Sequence, residues 1–212
     1  MSAVRLALSL ALVSACGGPT APPSDPDDPL AALEAGLLSG PHGVDLAITA
    51  EGAVDAELRG ALAWDEDALR LDLSGTFAGE EVSPWLLHDG DGTRGGGAVG
   101  GADFERAAMP ALREAMVLGF SRMGALHNAA RLVGGEPPDH ADGGVRDWVR
   151  AEDLVDGGRR LDYRLVVDGQ PSGEASLFLN EDGQPTRREL TVHFDDGDMR
   201  VVEQYAWRDQ AL

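Results

Sequence analysis

Four acidic, glycine-containing turns cut the last third of this chain into pieces of strand length, and they restrict its fold more than any other feature. They are Asp156-Gly157-Gly158, Asp168-Gly169-Gln170-Pro171, Glu181-Asp182-Gly183 and Asp195-Asp196-Gly197-Asp198. Asp-Gly pairs suit tight hairpins because glycine takes positive φ without a Cβ clash and the aspartate oxygen bonds to nearby backbone. Between the turns the apolar residues repeat every second position. Leu161, Tyr163, Leu165 and Val167 alternate with polar neighbours, as do Leu190, Val192 and Phe194. Met199, Val201, Tyr205 and Trp207 continue the pattern, interrupted by Glu203. Successive strand side chains point to opposite faces, so this spacing predicts a meander of antiparallel strands with one buried face, about four or five of them up to Trp207. A charge at Glu203 on the buried face needs a partner or a shifted pKa; a sheet edge or a bulge is the simpler expectation.

The rest of the domain changes period twice. Asp28-Pro29 is an N-cap acceptor followed by proline at the first helical position. Leu30, Leu33 and Leu37 then recur at helical spacing until Gly40-Pro41, which predicts a short opening helix. Val44, Leu46 and Ile48, then Leu69, Leu71 and Leu73, return to period two, predicting about three or four strands between residues 44 and 94. From Asp103 to Val133 the period is helical again: Met109, Met116, Met123 and Ala130 are seven apart, with Leu112, Gly119, Leu126 and Val133 beside them. A helix from 110 to 133 would be about 36 Å long at 1.5 Å per residue. Pro110 starts it or kinks it, and Gly134-Gly135 ends it. An irregular loop is expected from there to Gly144. The expected fold is α+β: a curved antiparallel sheet, a half-barrel of about eight or nine strands, packed on one long helix plus the short N-terminal one. The long helix needs an apolar partner, and the concave face supplies it. One domain spans 29–208.

The first residues carry an address. Met1 to Arg5 has one basic side chain, and Leu6–Val13 is an apolar run too short to span a bilayer, which takes about 20 residues. A short basic start, a short greasy run and small residues describe a secretory signal over residues 1–15. The run ends Val13-Ser14-Ala15-Cys16, which resembles the lipobox of bacterial lipoproteins. The resemblance implies that the leader is removed and that Cys16 carries diacylglycerol and becomes the new N-terminus, a membrane partner held by covalent lipid; a further acyl group such as palmitate often joins its amine. Two or more acyl chains anchor stably, where one holds only marginally. Cys16 is the only cysteine, so the chain forms no disulfide within itself. Residues 16–28 form a Pro, Gly and Asp-rich tether. Gly17 rather than Asp after the cysteine implies, by the Gram-negative sorting rule, the outer membrane with the domain facing the periplasm.

Composition narrows the partners. With 43% apolar and 25% charged residues in 212, the chain has enough greasy surface for a core. All 17 basic residues are arginine and the net charge is -20, becoming -21 without Arg5. Nucleic acid is excluded as a partner, because phosphate binding needs a basic stripe. Docking on anionic lipid heads is disfavoured for the same reason.

The order helix, strands, helix, strands resembles the periplasmic carriers typified by the outer-membrane lipoprotein carrier. So does the stretch Leu177-Phe178-Leu179-Asn180-Glu181-Asp182-Gly183-Gln184-Pro185-Thr186-Arg187-Arg188-Glu189-Leu190, followed by Glu203-Gln204-Tyr205-Ala206-Trp207. The likeness runs in outline over residues 30–207 and implies a half-barrel over helices with acyl chains held between. Met109, Met116, Phe120, Met123 and Leu126 are the candidates to line such a space, since thioethers adapt to irregular apolar shapes; the same residues also serve as plain core.

Chemistry is sparse. Asp89-Gly90-Asp91-Gly92 and Asp195-Asp196-Gly197-Asp198 read as turns, since neither completes a calcium loop. His42, His88, His127, His140 and His193 are scattered and form no pair at metal-ligand spacing. His140 and Asp142 fall in a loop, and His193 is expected to face solvent. No metal or cofactor site, G-x-S-x-G elbow, P-loop or dinucleotide fingerprint is present in the sequence. The expected function is that of a membrane-anchored envelope lipoprotein carrying an apolar small molecule, not an enzyme. The alternative is an envelope interaction or sensor module that binds a protein partner.

Overall fold

A computed structural model describes residues 28–97, 103–138, 144–195 and 197–208. The expected leader, Cys16, most of the tether, His140 and Asp142 lie outside the described residues.

Helix α1 (Pro29–Leu38) starts where the sequence places it: the Asp28 carboxylate accepts from the backbone N–H of Leu30 at 2.9 Å and of Ala31 at 3.2 Å. Six strands follow: β1 (His42–Glu51), β2 (Ala56–Trp64), β3 (Leu69–Phe77), β4 (Glu80–Val82), β5 (Trp85–Asp89) and β6 (Gly92–Gly96). After β7 (Phe104–Arg106) come the helices, α2 (Pro110–Val117), α3 (Ala125–Val133) and α4 (Gly144–Trp148). The chain closes with β8 (Val149–Asp156), β9 (Arg160–Val167), β10 (Gln170–Leu179), β11 (Pro185–Phe194) and β12 (Gly197–Trp207).

All twelve described strands form one antiparallel sheet, curved but not closed, in the order β7-β6-β5-β3-β2-β1-β12-β11-β10-β9-β8, with β4 beside β3. It is two meanders joined at the middle. The first and last strands pair over eight positions, from Val44 opposite Trp207 to Glu51 opposite Arg200. The five-strand closing meander agrees with the turn pattern. The count of eight or nine is too low because β4 and β7 have three residues each and β6 is Gly92-Thr93-Arg94-Gly95-Gly96. Such pieces are too short or too glycine-rich to show alternation. The supposed loop up to Gly144 leads into the short helix α4.

The single long helix is also corrected. After α2 the chain tightens into a 3-10 turn at Leu118–Phe120 and breaks before α3. The break lies at Gly124, with φ of +94°, a backbone conformation that L side chains rarely adopt. The sevenfold repeat of methionines ran through this point without a visible stop. The site is also crowded in three dimensions: a Cβ on Gly124 would strike the Arg188 guanidinium and lie 2.7 Å from Glu203 Oε1.

The core lies between the inner sheet face and the helices. Val44, Leu46 and Ile48 of β1, Leu58, Leu62 and Trp64 of β2, and Leu69, Leu71 and Leu73 of β3 are buried there. Leu112, Leu118, Phe120 and Leu132 press down from the helical side. Trp64 donates its indole N–H to the Leu37 carbonyl at 2.9 Å, fixing α1 to the sheet.

Two glycines separate conformation from packing. Gly124→Ala should destabilise the domain by about 1–3 kcal/mol or more through strain and the clash with Arg188. Gly36→Ala, inside α1 with nothing within 4 Å of the new methyl, should stabilise it by roughly 0.5–1 kcal/mol. Urea unfolding monitored by tryptophan fluorescence checks both; equal and small effects would refute the packing argument for the helix break.

Candidate functional site

Glu203 sits on the inner face of β12, a central strand, and is buried. The expectation of an edge or a bulge is therefore wrong, and the reason is a set of partners from distant parts of the chain. Its Oε1 accepts the backbone N–H of Leu126 at 2.8 Å, capping the start of α3. Tyr205 donates its hydroxyl to Oε2, and Arg188 Nη1 on β11 lies 3.8 Å away. The Arg188 guanidinium, also fully buried, donates to the Arg122 carbonyl just before Gly124. Burial opposes its charge, but Tyr163, Glu203 and Tyr205 around it hold its pKa above the ordinary arginine value. Burial, and then the Glu203 charge, push Tyr205 well above the usual phenol range.

A second polar knot ties α1 to the same segment. Buried Glu34 accepts from Arg122 Nε and Nη2, at 2.6 and 2.9 Å, and from the Ser121 hydroxyl at 2.7 Å. Tyr163 of β9 donates to the Ser121 carbonyl at 2.6 Å. Together these bonds fix the segment between the 3-10 turn and α3.

A cavity of about 220 Å³ opens beneath α3. Its floor is Met123, Leu126, Leu190 and Val201, all buried. One wall is His127 and Ala130 of α3, and the other consists of Val54, Phe77, Val192 and Met199, all partly exposed. Phe194 stands at the mouth, 49% exposed, an unusual position for a large apolar ring. The lining is almost wholly aliphatic or aromatic.

Of the residues proposed from sequence, the structure brings Met123 and Leu126 into this lining. Met116 and Phe120 are buried in the packed core instead. Phe120 meets Tyr205 edge-on at 4.9 Å and lies 5.8 Å from Trp64 and 6.0 Å from Trp207 between ring centres. Met109 is partly buried against that core, ahead of α2. The helix break separates the two groups: Met116 belongs to α2, and Met123 precedes α3. Sequence reading missed the sheet half of the groove. Its signal was in view, since Val192 and Phe194 alternate on β11 and Met199 and Val201 on β12, and Val192 pairs with Met199 and Leu190 with Val201. Only the turn register shows that these five converge.

Among the described residues, no group of three or more His, Cys, Asp or Glu side chains could hold a metal ion, and no helix is long and apolar enough to cross a membrane. His88 is buried against Thr93, its Nδ1 2.8 Å from Oγ1. Burial lowers its pKa.

His193 faces outward from the hairpin that bears Phe194, as the alternation predicts. Its ring nitrogens lie 2.8 Å from Asp198 on β12 and 2.8 Å from Glu174 on β10. Hydrogen bonds to Asp198 and Glu174 raise its pKa. A raised folded-state pKa means that the clamp contributes stability fully below the unfolded value of about 6.5 and loses it as pH rises through the folded value. His193→Gln should therefore lower Tm near pH 5 and leave it unchanged near pH 9. An equal Tm difference at both pH values, measured by scanning calorimetry, would show that the clamp does not depend on the imidazolium.

No protein-family model matches the chain, and no curated protein matches it. Among solved structures it is similar to an uncharacterized conserved protein from Thermus thermophilus, with a TM-score of 0.44 and 9% identity over 86% of each chain. It is also similar to a LolA superfamily protein from Nitrosomonas europaea, with a TM-score of 0.38 and 8% identity over 87% of this chain and 93% of that one. At these scores neither likeness bears on what the chain does.

Proposed function

We propose that this chain is a lipid-anchored envelope protein that holds an apolar ligand in the groove beneath α3, without catalysis. The observation that carries the reading is the groove itself: about 220 Å³ of space, walled by apolar side chains, with a half-exposed phenylalanine at its entrance. Natural cores are packed with few voids larger than a water molecule. An apolar cavity stays dry and takes up apolar guests; one of about 150 Å³ accepts benzene.

Size bounds the guest. Pockets for drug-sized ligands run to roughly 300–1,000 Å³, so this groove suits one ring or the end of an acyl chain, with the remainder outside. The floor offers no charged group to fix an orientation, so recognition there rests on shape and desolvation. The leader and Val13-Ser14-Ala15-Cys16 support anchoring through acyl chains on Cys16, with Gly17 favouring the outer membrane and a domain in the periplasm.

The groove is tested with a soluble form lacking the first sixteen residues. It should carry apolar material detectable by native mass spectrometry and organic extraction, and should bind a naphthalene fluorophore. Ala130→Trp, which places an indole in the groove wall, should weaken fluorophore binding by about tenfold or more, equivalent to about 1.4 kcal/mol. Unchanged binding in Ala130→Trp would sink the ligand reading. For the anchor, Cys16→Ser in the full chain should move the protein from the membrane fraction to the soluble one; retention in membranes would refute lipid attachment.

A further inference from the structure

The sheet wall of the groove ends on a hairpin tip that runs past its neighbouring strands. Strand β11 pairs with β10 only as far as Val192, opposite Gly173. Strand β12 pairs with β1 only from Arg200, opposite Glu51, onward. Beyond those points the described tip pairs with itself, His193 opposite Asp198 and Phe194 opposite Gly197. The β1–β2 turn abuts it at Gly52, where an added Cβ would strike the Asp198 carbonyl. Phe194 and Met199, both in the lining of the groove, lie on this tip. What ties the tip to β10 is a side chain on the outer face. Nδ1 of His193 lies 2.8 Å from Asp198 Oδ1, and Nε2 lies 2.8 Å from Glu174 Oε2. An ionised carboxylate only accepts, and a neutral imidazole carries one N–H, so the imidazolium alone donates to both. Without its proton, one nitrogen turns a lone pair toward a carboxylate and that bridge opens. The other charges near the ring are few. Asp195 follows two positions along the chain, Arg200 of β12 stands opposite Thr191 and Glu51, and Arg164 of β9, opposite Glu174, is paired with Glu152 and Asp153.

We propose that His193 is a proton-operated latch on the groove: charged, it holds the β11–β12 tip with Phe194 and Met199 against the guest, and neutral, it frees the tip and lets the guest leave. The inference rests on the apolar-ligand reading and adds its regulation. Hydrogen bonds to Asp198 and Glu174 favour the charged ring, so the latch is complete at acid pH and is lost as pH rises through the folded-state value. A guest that prefers the latched tip binds more tightly to the protonated protein. By reciprocity it also raises the pH at which His193 gives up its proton. His127 in the opposite wall acts in the other sense, because a charge beside an apolar guest is costly to desolvate. The sign of the pH dependence therefore separates the two histidines.

The test uses N-phenyl-1-naphthylamine, an apolar fluorophore that stays uncharged across the range, with the soluble form lacking the first sixteen residues. Its dissociation constant is measured from about pH 5.5 to about pH 9, on either side of the histidine range. Binding to the parent should weaken about threefold toward alkaline pH, the scale expected when one solvated bridge sets the population of a competent tip. His193→Gln, which replaces an exposed ring, should bind at every pH as the parent does near pH 9, and Glu174→Gln should lose most of the dependence. In the parent, the midpoint of the His193 ring resonances, followed by NMR, should rise by about half a pH unit when the fluorophore is bound, the same threefold factor read from the other side. An affinity that does not change with pH, one that rises toward alkaline pH, or a dependence that survives intact in His193→Gln would overturn the latch while leaving the groove in place. So would a His193 midpoint that the fluorophore does not move. If the fluorophore binds at no pH, or if Ala130→Trp leaves its binding unchanged, the groove reading itself fails.

Discussion

The meeting of Arg188, Glu203 and the backbone around Gly124 organises the rest of this structure. Two opposite charges lie buried on adjacent central strands, at a depth where an isolated ion is strongly disfavoured and removing one partner typically costs about 3–5 kcal/mol. Their requirement for partners is met by the helical layer. Glu203 takes the first free N–H of α3, and Arg188 takes a carbonyl from the segment that precedes it. Those contacts demand a close approach that only glycine permits at position 124. The break separates α2 from α3, and the groove lies between α3 and the sheet. Buried charges, helix interruption and cavity adjoin one another in the fold.

Much of this order was legible in the residues. The Asp-Gly turns and the alternation of Leu161, Tyr163 and Leu165 place the closing meander correctly, because a strand with one buried face has little freedom in which residues it turns inward. The Asp28-Pro29 signal marks the start of α1 for an equally local reason, a side chain bonding to the first free N–H groups. The short strands β4 to β7 escaped notice because their pairing is dictated by neighbours, not by their own pattern. Gly95 and Gly96 have no side chain to reveal a face.

The site was half legible. Met123 and Leu126 sit where a helical stripe suggested they should, while Met116 and Phe120 went into solid core. A heptad repeat states which residues share a face; it does not say that the helix stops between them. Gly124 was visible, but its effect depends on Arg188 and Glu203, separated from it by 64 and 79 positions in the sequence. Glu203 was noticed as an anomaly on an apolar face, and the anomaly marks the centre of the design rather than its margin. Buried polar groups that carry their own partners leave this kind of trace, a violation of pattern whose explanation lies elsewhere in the chain.

The pairing of β1 with β12 has a kinetic meaning. The strand that leaves α1 and the last described strand are neighbours at the middle of the sheet, so the two meanders cannot unite until the chain through Trp207 has been made. Until then each presents an unpaired inner edge, the kind of surface that invites association with other chains. Contacts between such remote segments slow folding, since a long loop must close before they reward it. The sheet therefore stays in two halves until β12 has been made.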